Sequence, residues 1–548
     1  MNLDDAFALA RAHERAGRLD AAEAQYRAIV AFDPALADVH YNLGSLLSRR
    51  TRLVEAAAAY ERALGIRPDF PEAACNLGAT RESLGQLDEA EALFRTALRL
   101  RPDFPAAWNN LGGVLKDLGR MDEAMGSFDR AVALAPDQAR LGSNRLFAMH
   151  YSPAYDAPAL LQAARHWSER HAAPLAGAGT PHDNDPAPAR RLRVGYVSGY
   201  FRAHCQALFI EPVLTHHDHQ DFEIVCYSDV IHPDGVTGRL KAAADVWRET
   251  GSLDDAGLAE LIRHDGIDVL VDLTLHMAGD RLMAFARRPA PVQVTWLGYP
   301  GTTGLPAIGY RLTDPWLDPP GVTDGGYAEQ SVRLPDSFWC YDPHAELPPV
   351  NPLPAASTGQ VTFGCLNNFC KVHAGVLSVW ARVLQAVPGS RLLMLAPPGA
   401  SRNRVREHLG VSADRVQFVA YQPRAEYLQH YQRIDLGLDT FPYNGHTTSL
   451  DAFWMGVPVV SLSGTTAVSR AGLSLLSNLG LANLAATTPD EYVAVAVRLA
   501  ADRARLAGLR AGLRRRMAGS PLMDAGRFTR NLEESYRDLW RRWCRDGP

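Results

Sequence analysis

The first quarter of the chain is built from a repeat of 34 residues. Proline returns at this interval four times, and so does an alanine that is followed four places later by an aromatic residue. The prolines are Pro34, Pro68, Pro102 and Pro136, and the pairs are Ala22 and Tyr26, Ala56 and Tyr60, Ala90 and Phe94, and Ala124 and Phe128. Because several positions keep one period, this segment must fold as a tandem array of similar units.

Each unit is expected to be a pair of helices joined by a turn. Small residues such as Gly44 and Ala56 let paired helices approach closely, and the aromatic residue fills the space between them. Proline ends the second helix, because it lacks an N–H and clashes with the preceding turn. The pattern resembles the tetratricopeptide (TPR) repeat and predicts four units over residues 1–138.

An Asn-Leu-Gly triplet also keeps the period, so Asn42, Asn76 and Asn110 occupy equivalent positions. TPR arrays present an extended concave surface to their partners. A side-chain amide both donates and accepts hydrogen bonds, so it can hold a peptide backbone of any sequence. We therefore expect these asparagines to bind protein or peptide acceptors. The alternative is that they are merely tolerated polar positions.

Composition narrows the class of protein. The chain has 548 residues, more than one compact core usually holds, with 47% hydrophobic and 21% charged residues. A formal net charge of −5 argues against nucleic acid as a partner. The seven cysteines contain no CxxC pair, which suits a reducing compartment better than a disulfide framework or a zinc cluster. The N-terminus lacks the apolar stretch of a signal peptide, and no run of 18 apolar residues occurs. We expect a cytoplasmic protein without a membrane partner.

After a helical linker over 139–190, the pattern changes to short apolar runs that alternate with helical stretches. Such alternation is typical of parallel sheets with helices on both faces. The expected strands are 192–199, 222–229, 267–273 and 292–298 in a first series, and 361–368, 391–397, 416–421, 434–440 and 457–462 in a second. A proline-rich segment at 346–359 separates them. We predict an α/β protein with two Rossmann-like domains, 191–345 and 346–548, whose C-terminal helix could pack back across the first sheet.

Ligands of such sheets bind outside the carboxyl ends of the strands. No G-x-G-x-x-G, P-loop or G-x-S-x-G motif occurs there, which disfavours dehydrogenases, P-loop NTPases and serine hydrolases. His204 follows the first strand and could act as a general base or orient an acceptor hydroxyl. Lys371 follows the first strand of the second series and suits a phosphate. A glycine-rich loop at 296–304 allows close approach of a ligand, or is a structural turn.

The loop at 439–451 is the richest in candidate ligands. It leads into a helix, so that His446, Thr447 and Thr448 lie at the helix N-terminus. The free N–H groups and the dipole of that end favour an anion such as a diphosphate. Asp451 lies one turn further along the helix and could accept hydrogen bonds from a ribose hydroxyl pair.

These segments together resemble the O-linked N-acetylglucosamine transferase family. The resemblance rests on GHTTSLDAFWMGVPVVSL, LRVGYVSGYFRAHCQALF, VQVTWLGYPGTTG and LNNFCK behind TPR repeats. It implies a GT-B glycosyltransferase that inverts the anomeric centre, uses UDP-GlcNAc as donor substrate, and needs no metal and no further cofactor. Plant relatives in the family include a protein O-fucosyltransferase, so a GDP-fucose donor is an alternative. A TPR scaffold with a degenerate catalytic half is another.

The resemblance also implies roles for single residues. His204 matches the histidine proposed as the base, and Lys371 matches the diphosphate-binding lysine. The donor-binding residues are then Lys371 with Leu297, Gly298, Asn368, Gln422, Pro423, Arg424, Tyr427, His430, Tyr443, His446, Thr447, Thr448 and Asp451. Among them, the segments 422–424 and 427–430 match the nucleobase contacts of the family. Three of these depart from the family pattern. Asn368 replaces a glutamine, Tyr427 replaces a histidine, and Tyr443 replaces a smaller residue close to the expected N-acetyl group.

Overall fold

The computed structural model describes residues 2–175, 182–344 and 348–546. Its contacts divide the chain into two compact units. The first contains residues up to Leu141 and Pro397–Asn403, and the second contains Gly142–Ala396 and the chain from Arg404 onward. Within these described ranges, no helix is both long enough and apolar enough to cross a membrane.

The first unit contains eight helices in four antiparallel pairs. They are α1 Leu3–Arg15, α2 Leu19–Phe32, α3 Ala37–Arg49, α4 Leu53–Ile66, α5 Pro71–Ser83, α6 Leu87–Leu100, α7 Pro105–Asp117 and α8 Met121–Leu134. The repeat glycine touches the repeat aromatic in three pairs: a Cβ on Gly44, Gly78 or Gly112 would lie 2.7–2.9 Å from the facing ring. The expected helix–turn–helix units are therefore confirmed, with the prolines just after the second helix of each.

Two further helices follow, α9 Ala139–Met149 and α10 Ala157–His171. The sequence suggested a linker here, but most of this segment belongs to the second unit. The Trp167 ring meets the His276 ring edge-on at 4.6 Å, and Ser143 Oγ lies 3.1 Å from His276 Nδ1. The linker-like residues 176–181 lie outside the described residues.

The first sheet of the second unit has seven parallel strands in the order β3-β2-β1-β4-β5-β6-β7. The strands are β1 Leu192–Ser198, β2 Phe222–Ser228, β3 Val246–Glu249, β4 Val269–Asp272, β5 Val292–Thr295, β6 Tyr310–Thr313 and β7 Gln330–Arg333. The helices between them are α11 Ala207–His216, α12 Gly235–Ala243, α13 Asp255–His264 and α14 Leu282–Phe285. Strands β1, β2, β4 and β5 are almost entirely buried, as their apolar sequences predicted.

The second sheet has six parallel strands in the order β10-β9-β8-β11-β12-β13. The strands are β8 Thr362–Cys365, β9 Arg391–Leu395, β10 Val416–Val419, β11 Leu436–Leu438, β12 Val459–Leu462 and β13 Ala485–Ala486. The helices are α15 Pro354–Thr358, α16 Ala374–Ala386, α17 Ala400–Leu409, α18 Arg424–Gln429, α19 Thr447–Trp454, α20 Ala471–Asn478, α21 Pro489–Ala501 and α22 Arg503–Ala518. All nine expected strands are present in the two sheets. The sequence missed β3, β6, β7 and β13, which are short and contain polar residues or stand at sheet edges.

The last helix, α23 Ala525–Asp546, returns to the first sheet. Phe528 stacks on Trp296 with the ring centroids 5.8 Å apart. Glu533 Oε1 lies 2.8 Å from His217 Nδ1, and burial lowers the pKa of His217. The expected return of the C-terminal helix is therefore confirmed.

Candidate active site

Lys371 lies at the end of the 3₁₀ turn Phe369–Lys371, which follows β8 at the carboxyl edge of the second sheet. Its ammonium donates a 2.8 Å hydrogen bond to the Asn444 carbonyl and lies 4.2 Å from the centroid of the Tyr443 ring. Burial lowers the pKa of Lys371, while the nearby Cys370 and Asp439 oppose that shift. The fold thus places a partly desolvated cation beside the loop that precedes α19.

Helix α19 begins at Thr447, with His446 as its N-cap residue, as the sequence predicted. The first N–H groups of any helix lack intrahelical acceptors, so they can bind an anion. The His446 side chain makes no capping bond, and its buried Nε2 has no hydrogen-bond partner among the described residues. Burial, with the charge of Lys371, lowers the pKa of His446 well below its ordinary value. A neutral imidazole therefore lies beside these N–H groups.

Asp439 and Asn367 hold the loop in this shape, and the sequence analysis gave neither of them a role. Asp439 Oδ1 accepts a 2.7 Å bond from the Gly445 N–H, and its Oδ2 accepts a 2.6 Å bond from Ser461 Oγ. The Asn367 amide donates to Thr440 Oγ1 at 2.9 Å, and its oxygen accepts the Thr448 hydroxyl. Asp439 directly follows β11 and Asn367 lies two residues after β8, and this position after parallel strands is the signal that could have identified them.

Asp451 is 1% exposed and fully engaged with protein donors. Its Oδ1 accepts bonds from the Tyr341 hydroxyl at 2.6 Å and from the Arg424 guanidinium at 2.6 Å. Its Oδ2 accepts bonds from the same guanidinium at 2.8 Å and from the Tyr427 hydroxyl at 3.1 Å. The expected ribose carboxylate is therefore not open, and it carries an ion pair that the sequence did not predict.

The remaining residues of the expected nucleobase segment surround this ion pair. His430 Nε2 lies 2.6 Å from Gln422 Oε1, and the exposed Pro423 is the N-cap residue of α18. The Tyr427 hydroxyl also lies 2.7 Å from the Tyr431 hydroxyl. Asn368 is exposed at the carboxyl edge of the same sheet. Their contact with a nucleobase stays a prediction.

On the first half of the unit, His204 stacks on Tyr200 with a centroid distance of 4.3 Å. Its Nδ1 accepts a 3.3 Å hydrogen bond from the Gln206 N–H. Burial, with the nearby Arg202, lowers the pKa of His204 to about 4. In the neutral ring the proton then lies on Nε2, which makes that nitrogen a donor. Burial raises the pKa of the neighbouring Cys205 thiol, and the nearby Thr447 and Lys371 oppose that shift, so the His204 loop lies close to the start of α19.

The glycine-rich loop at 296–304 is tightly packed, both within itself and against the Thr274 backbone. A Cβ on Gly298 would lie 2.8 Å from the Thr274 carbonyl, and one on Gly301 would lie 2.5 Å from the Tyr299 ring. Leu297 has a φ of 75°, a conformation that is uncommon for a residue with a side chain. These contacts account for the glycines as a structural turn. A role for Leu297 and Gly298 in donor binding stays a prediction.

Tyr443 is buried between two parts of the second unit. Its ring stacks on Tyr151, from the segment between α9 and α10, with centroids 4.7 Å apart and planes at 9°. The same ring lies 5.0 Å from the His446 ring. The residue that departs from the family pattern is thus a rigid wall beside Lys371.

Two aromatic residues reach this site from the segment that joins the halves, and the sequence analysis missed both. The Trp339 ring lies 5.2 Å from the His446 ring, and Tyr341 contacts Asp451 as described above. Nothing in their local sequence distinguishes them from core residues, because the contacts depend on the folded path of the segment. Across the described residues, no group of three or more histidine, cysteine or acidic side chains is placed to hold a metal ion.

In the first unit, the three equivalent asparagines are half-buried and bonded within the repeats. Asn42 donates to the Asp38 carbonyl at 2.7 Å, and Asn76 donates to the Tyr41 hydroxyl at 3.2 Å. Asn110 Nδ2 lies 3.8 Å from Cys75 Sγ. Each amide retains hydrogen-bonding capacity, so binding of a peptide backbone by the asparagines stays a prediction.

Comparisons with known proteins agree with this architecture. The sequence profile of Glycosyl transferase family 41 matches residues 169–351 and 353–532, and a Tetratricopeptide repeat profile matches residues 7–71 and 76–139. Similar curated proteins include the probable UDP-N-acetylglucosamine–peptide N-acetylglucosaminyltransferase SPINDLY of Solanum lycopersicum. It is 43% identical over 417 residues, which are 74% of this chain and 44% of that protein. The SPINDLY protein of Arabidopsis thaliana is 42% identical over 415 residues, 74% of this chain and 45% of its own length.

The chain therefore spans less than half the length of the curated relatives that it matches. A solved structure is similar over nearly its whole length: a mutant of the Thermobaculum terrenum O-GlcNAc transferase, with 40% identity and a TM-score of 0.88. The alignment covers 93% of this chain and 98% of that one. The repeats, the GT-B pair of sheets and the family profile agree, and the chain belongs to glycosyl transferase family 41.

Proposed function

We propose that this protein transfers N-acetylglucosamine from UDP-GlcNAc to serine or threonine hydroxyls of proteins, with inversion at the anomeric carbon. The observation that carries the proposal is the pairing of Lys371 with the N-terminus of α19. Lys371 donates to the Asn444 carbonyl, two residues before the N-cap residue His446, and in this proposal both groups hold the diphosphate. The names of the similar transferases support the same donor.

The main contribution to catalysis is stabilisation of the leaving diphosphate. Breaking the glycosidic bond builds negative charge on the diphosphate oxygens. Fixed donors that face such a charge in a site of low polarity lower the barrier without reorganising. Lys371 supplies a full positive charge, and the N–H groups after His446 supply oriented dipoles. In this proposal these groups, and not a metal ion, balance the charge.

His204 orients the acceptor hydroxyl in this proposal. The Gln206 N–H donates to Nδ1, so the neutral ring carries its proton on Nε2, and in this proposal that Nε2–H faces the acceptor. A donor there holds the acceptor oxygen through a lone pair and does not remove its proton. The alternative role, general base, requires the ring to break the bond to Gln206 or to change tautomer.

The donor sugar has one alternative that a specific observation favours. Tyr443 is a large, fixed side chain where the family has a smaller residue, close to the expected N-acetyl group. A sugar without that group, such as the fucose of GDP-fucose, needs less room there. The TPR repeats support protein or peptide acceptors as partners. The seven free cysteines suit a cytoplasmic location.

Calorimetry tests the donor directly. UDP, UDP-GlcNAc, GDP and GDP-fucose are titrated into the full chain in the presence of EDTA, and we expect binding of the uridine nucleotides only. Mass spectrometry of the protein incubated with UDP-GlcNAc and a peptide acceptor then reports transfer. If GDP-fucose bound and UDP-GlcNAc did not, the donor would be GDP-fucose. If a donor bound but no hydrolysis, automodification or transfer followed, the result would favour a TPR scaffold with a degenerate catalytic half.

A further inference from the structure

The segment 334–344 joins the two halves of the second unit and is anchored at several points. The Phe338 N–H donates to the Asp314 carboxylate at 2.9 Å. The Tyr341 N–H donates to the Leu522 carbonyl at 2.7 Å, and the Asp342 N–H donates to the Leu208 carbonyl at 2.8 Å. The Tyr341 side chain is 1% exposed. Its hydroxyl therefore has a position that is fixed independently of the loop before α19.

This hydroxyl makes two hydrogen bonds of opposite sense. It donates to Asp451 Oδ1 at 2.6 Å and accepts from the Arg424 guanidinium at 3.0 Å. A phenol has a single proton to donate, so Arg424 fills its lone pair and directs that proton to the carboxylate. Tyr341, together with Arg424 and Tyr427, therefore fixes the rotation of the Asp451 carboxylate.

A carboxylate accepts about four hydrogen bonds. Tyr341, Tyr427 and the two contacts of Arg424 use all four positions of Asp451. A ribose hydroxyl can reach Asp451 only when one of these donors withdraws. The Arg424 side chain is 31% exposed and begins α18, so it has freedom to move. Tyr341 has none, since its ring and backbone are both held.

We propose that Tyr341 is a positioning residue of the nucleotide site, which keeps the Asp451 carboxylate oriented for the ribose hydroxyls when Arg424 withdraws. The inference rests on the proposed function, because it takes a nucleoside diphosphate sugar as donor. It adds a residue from outside the second sheet to the donor site. Tyr341 itself touches neither the ribose nor the reacting atoms.

The test is a thermodynamic cycle between the hydroxyl of Tyr341 and the hydroxyls of the ribose. Wild type and Tyr341→Phe are titrated with the nucleoside diphosphate that wild type binds, UDP or GDP, and with its 2′-deoxy and 3′-deoxy analogues. Phenylalanine keeps the ring and removes only the hydrogen bond. A hydrogen bond to a charged group justifies an expected loss of about tenfold in affinity for the complete nucleotide.

With the deoxy analogue that lacks the hydroxyl held by Asp451, the loss should shrink to less than about threefold, because the partner of the oriented carboxylate is gone. Each comparison takes the affinities of one protein variant for two ligands. A general destabilisation of that variant affects both affinities and therefore cancels. Equal losses for all three nucleotides would make Tyr341 only structural and overturn the proposal, as would no loss.

Tyr536→Phe is the matched control. It removes another buried phenol hydroxyl, which lies 3.3 Å from the Tyr196 hydroxyl under α23. Its nucleotide affinities should equal those of wild type. If wild type bound neither UDP nor GDP, the proposed function would be refuted. If wild type bound its nucleotide but Tyr341→Phe lost the same affinity for the complete and the deoxy nucleotides, only the role of Tyr341 would be refuted.

Discussion

The ammonium nitrogen of Lys371 lies 4.2 Å from the centroid of the Tyr443 ring, which in turn stacks on Tyr151. Tyr151, from the segment before the first sheet, therefore helps to fix the Lys371 ammonium at the edge of the second sheet. Lys371 cannot withdraw from the loop without losing both the ring and its bond to the Asn444 carbonyl. This arrangement prepares the charge before the reaction begins.

Lys371→Met should lower kcat by at least about 10²-fold, comparable with the loss of one preorganised oxyanion donor. The affinity for UDP should fall less than kcat, because the charge on the diphosphate grows in the transition state. Steady-state kinetics and calorimetry measure the two quantities. Lys241→Met is the control, since Lys241 is exposed and bonded only to the exposed Glu249 in the described residues. Near-normal turnover, or recovery with Mg²⁺, would contradict the mechanism.

Tyr443→Ala should lower kcat by about 3- to 30-fold, the range of a cation–π contact that is shielded from water. Tyr443→Phe retains the ring and should stay close to wild type. The ratio of kcat/KM for UDP-GlcNAc to that for GDP-fucose, measured for all three proteins, reports the effect on donor choice. A loss in Tyr443→Phe as large as in Tyr443→Ala would assign the effect to the hydroxyl.

His204→Gln should retain more activity than His204→Ala, because the glutamine amide can replace the Nε2–H donor. The pKa of His204 near 4 also predicts that kcat/KM has no His204 inflection between pH 5.5 and 8. Protonation at lower pH removes the Nδ1 acceptor of the Gln206 N–H, which fixes the ring, so the rate should decline only there. Rate profiles of wild type and His204→Gln supply the comparison. A wild-type inflection near 6.5 that disappears in the variant would restore the general base, as would a loss of about 10²- to 10⁴-fold in both variants.

Replacement of Asn42, Asn76 and Asn110 by alanine should raise the apparent KM for peptide acceptors. Each amide would lose its contacts with a bound backbone, while the donor site is unaltered, so UDP affinity should stay constant. Kinetics with several unrelated acceptor proteins separate general backbone binding from sequence-specific contacts. Unchanged KM values for all of them would leave the asparagines as tolerated polar positions.

Stability should decrease as the pH falls below about 6.5. Burial lowers the pKa of His276 to about 4, whereas an unfolded histidine titrates near 6.5. The unfolded chain binds this proton first, so stability is complete above about pH 6.5 and is lost as the pH falls toward 4. The contribution is at most about 3 kcal/mol at 1.36 kcal/mol per pKa unit. Urea unfolding at pH 7 and pH 5 should show a smaller difference for His276→Gln than for wild type.

The local pattern of the sequence determined a large part of this protein. The 34-residue period determined the helix pairs, because the glycine–aromatic contact lies inside a single unit. The nine apolar runs determined the main strands of both sheets. His446–Thr448 were placed at the start of a helix because a glycine-containing loop before an apolar helix is a local signal.

Contacts between distant segments were decided by the tertiary structure alone. Tyr341 and Asp451 are 110 residues apart, and no period or motif joins them. Arg424 was expected at the nucleobase, yet its guanidinium pairs with Asp451, because a buried carboxylate takes the nearest cation. The sequence also left open whether Gly298 and Gly301 make room for a ligand or for other protein atoms. Only the folded chain shows that protein atoms occupy the space beside them. Local sequence sets the conformation of each element, and packing decides which side chains meet.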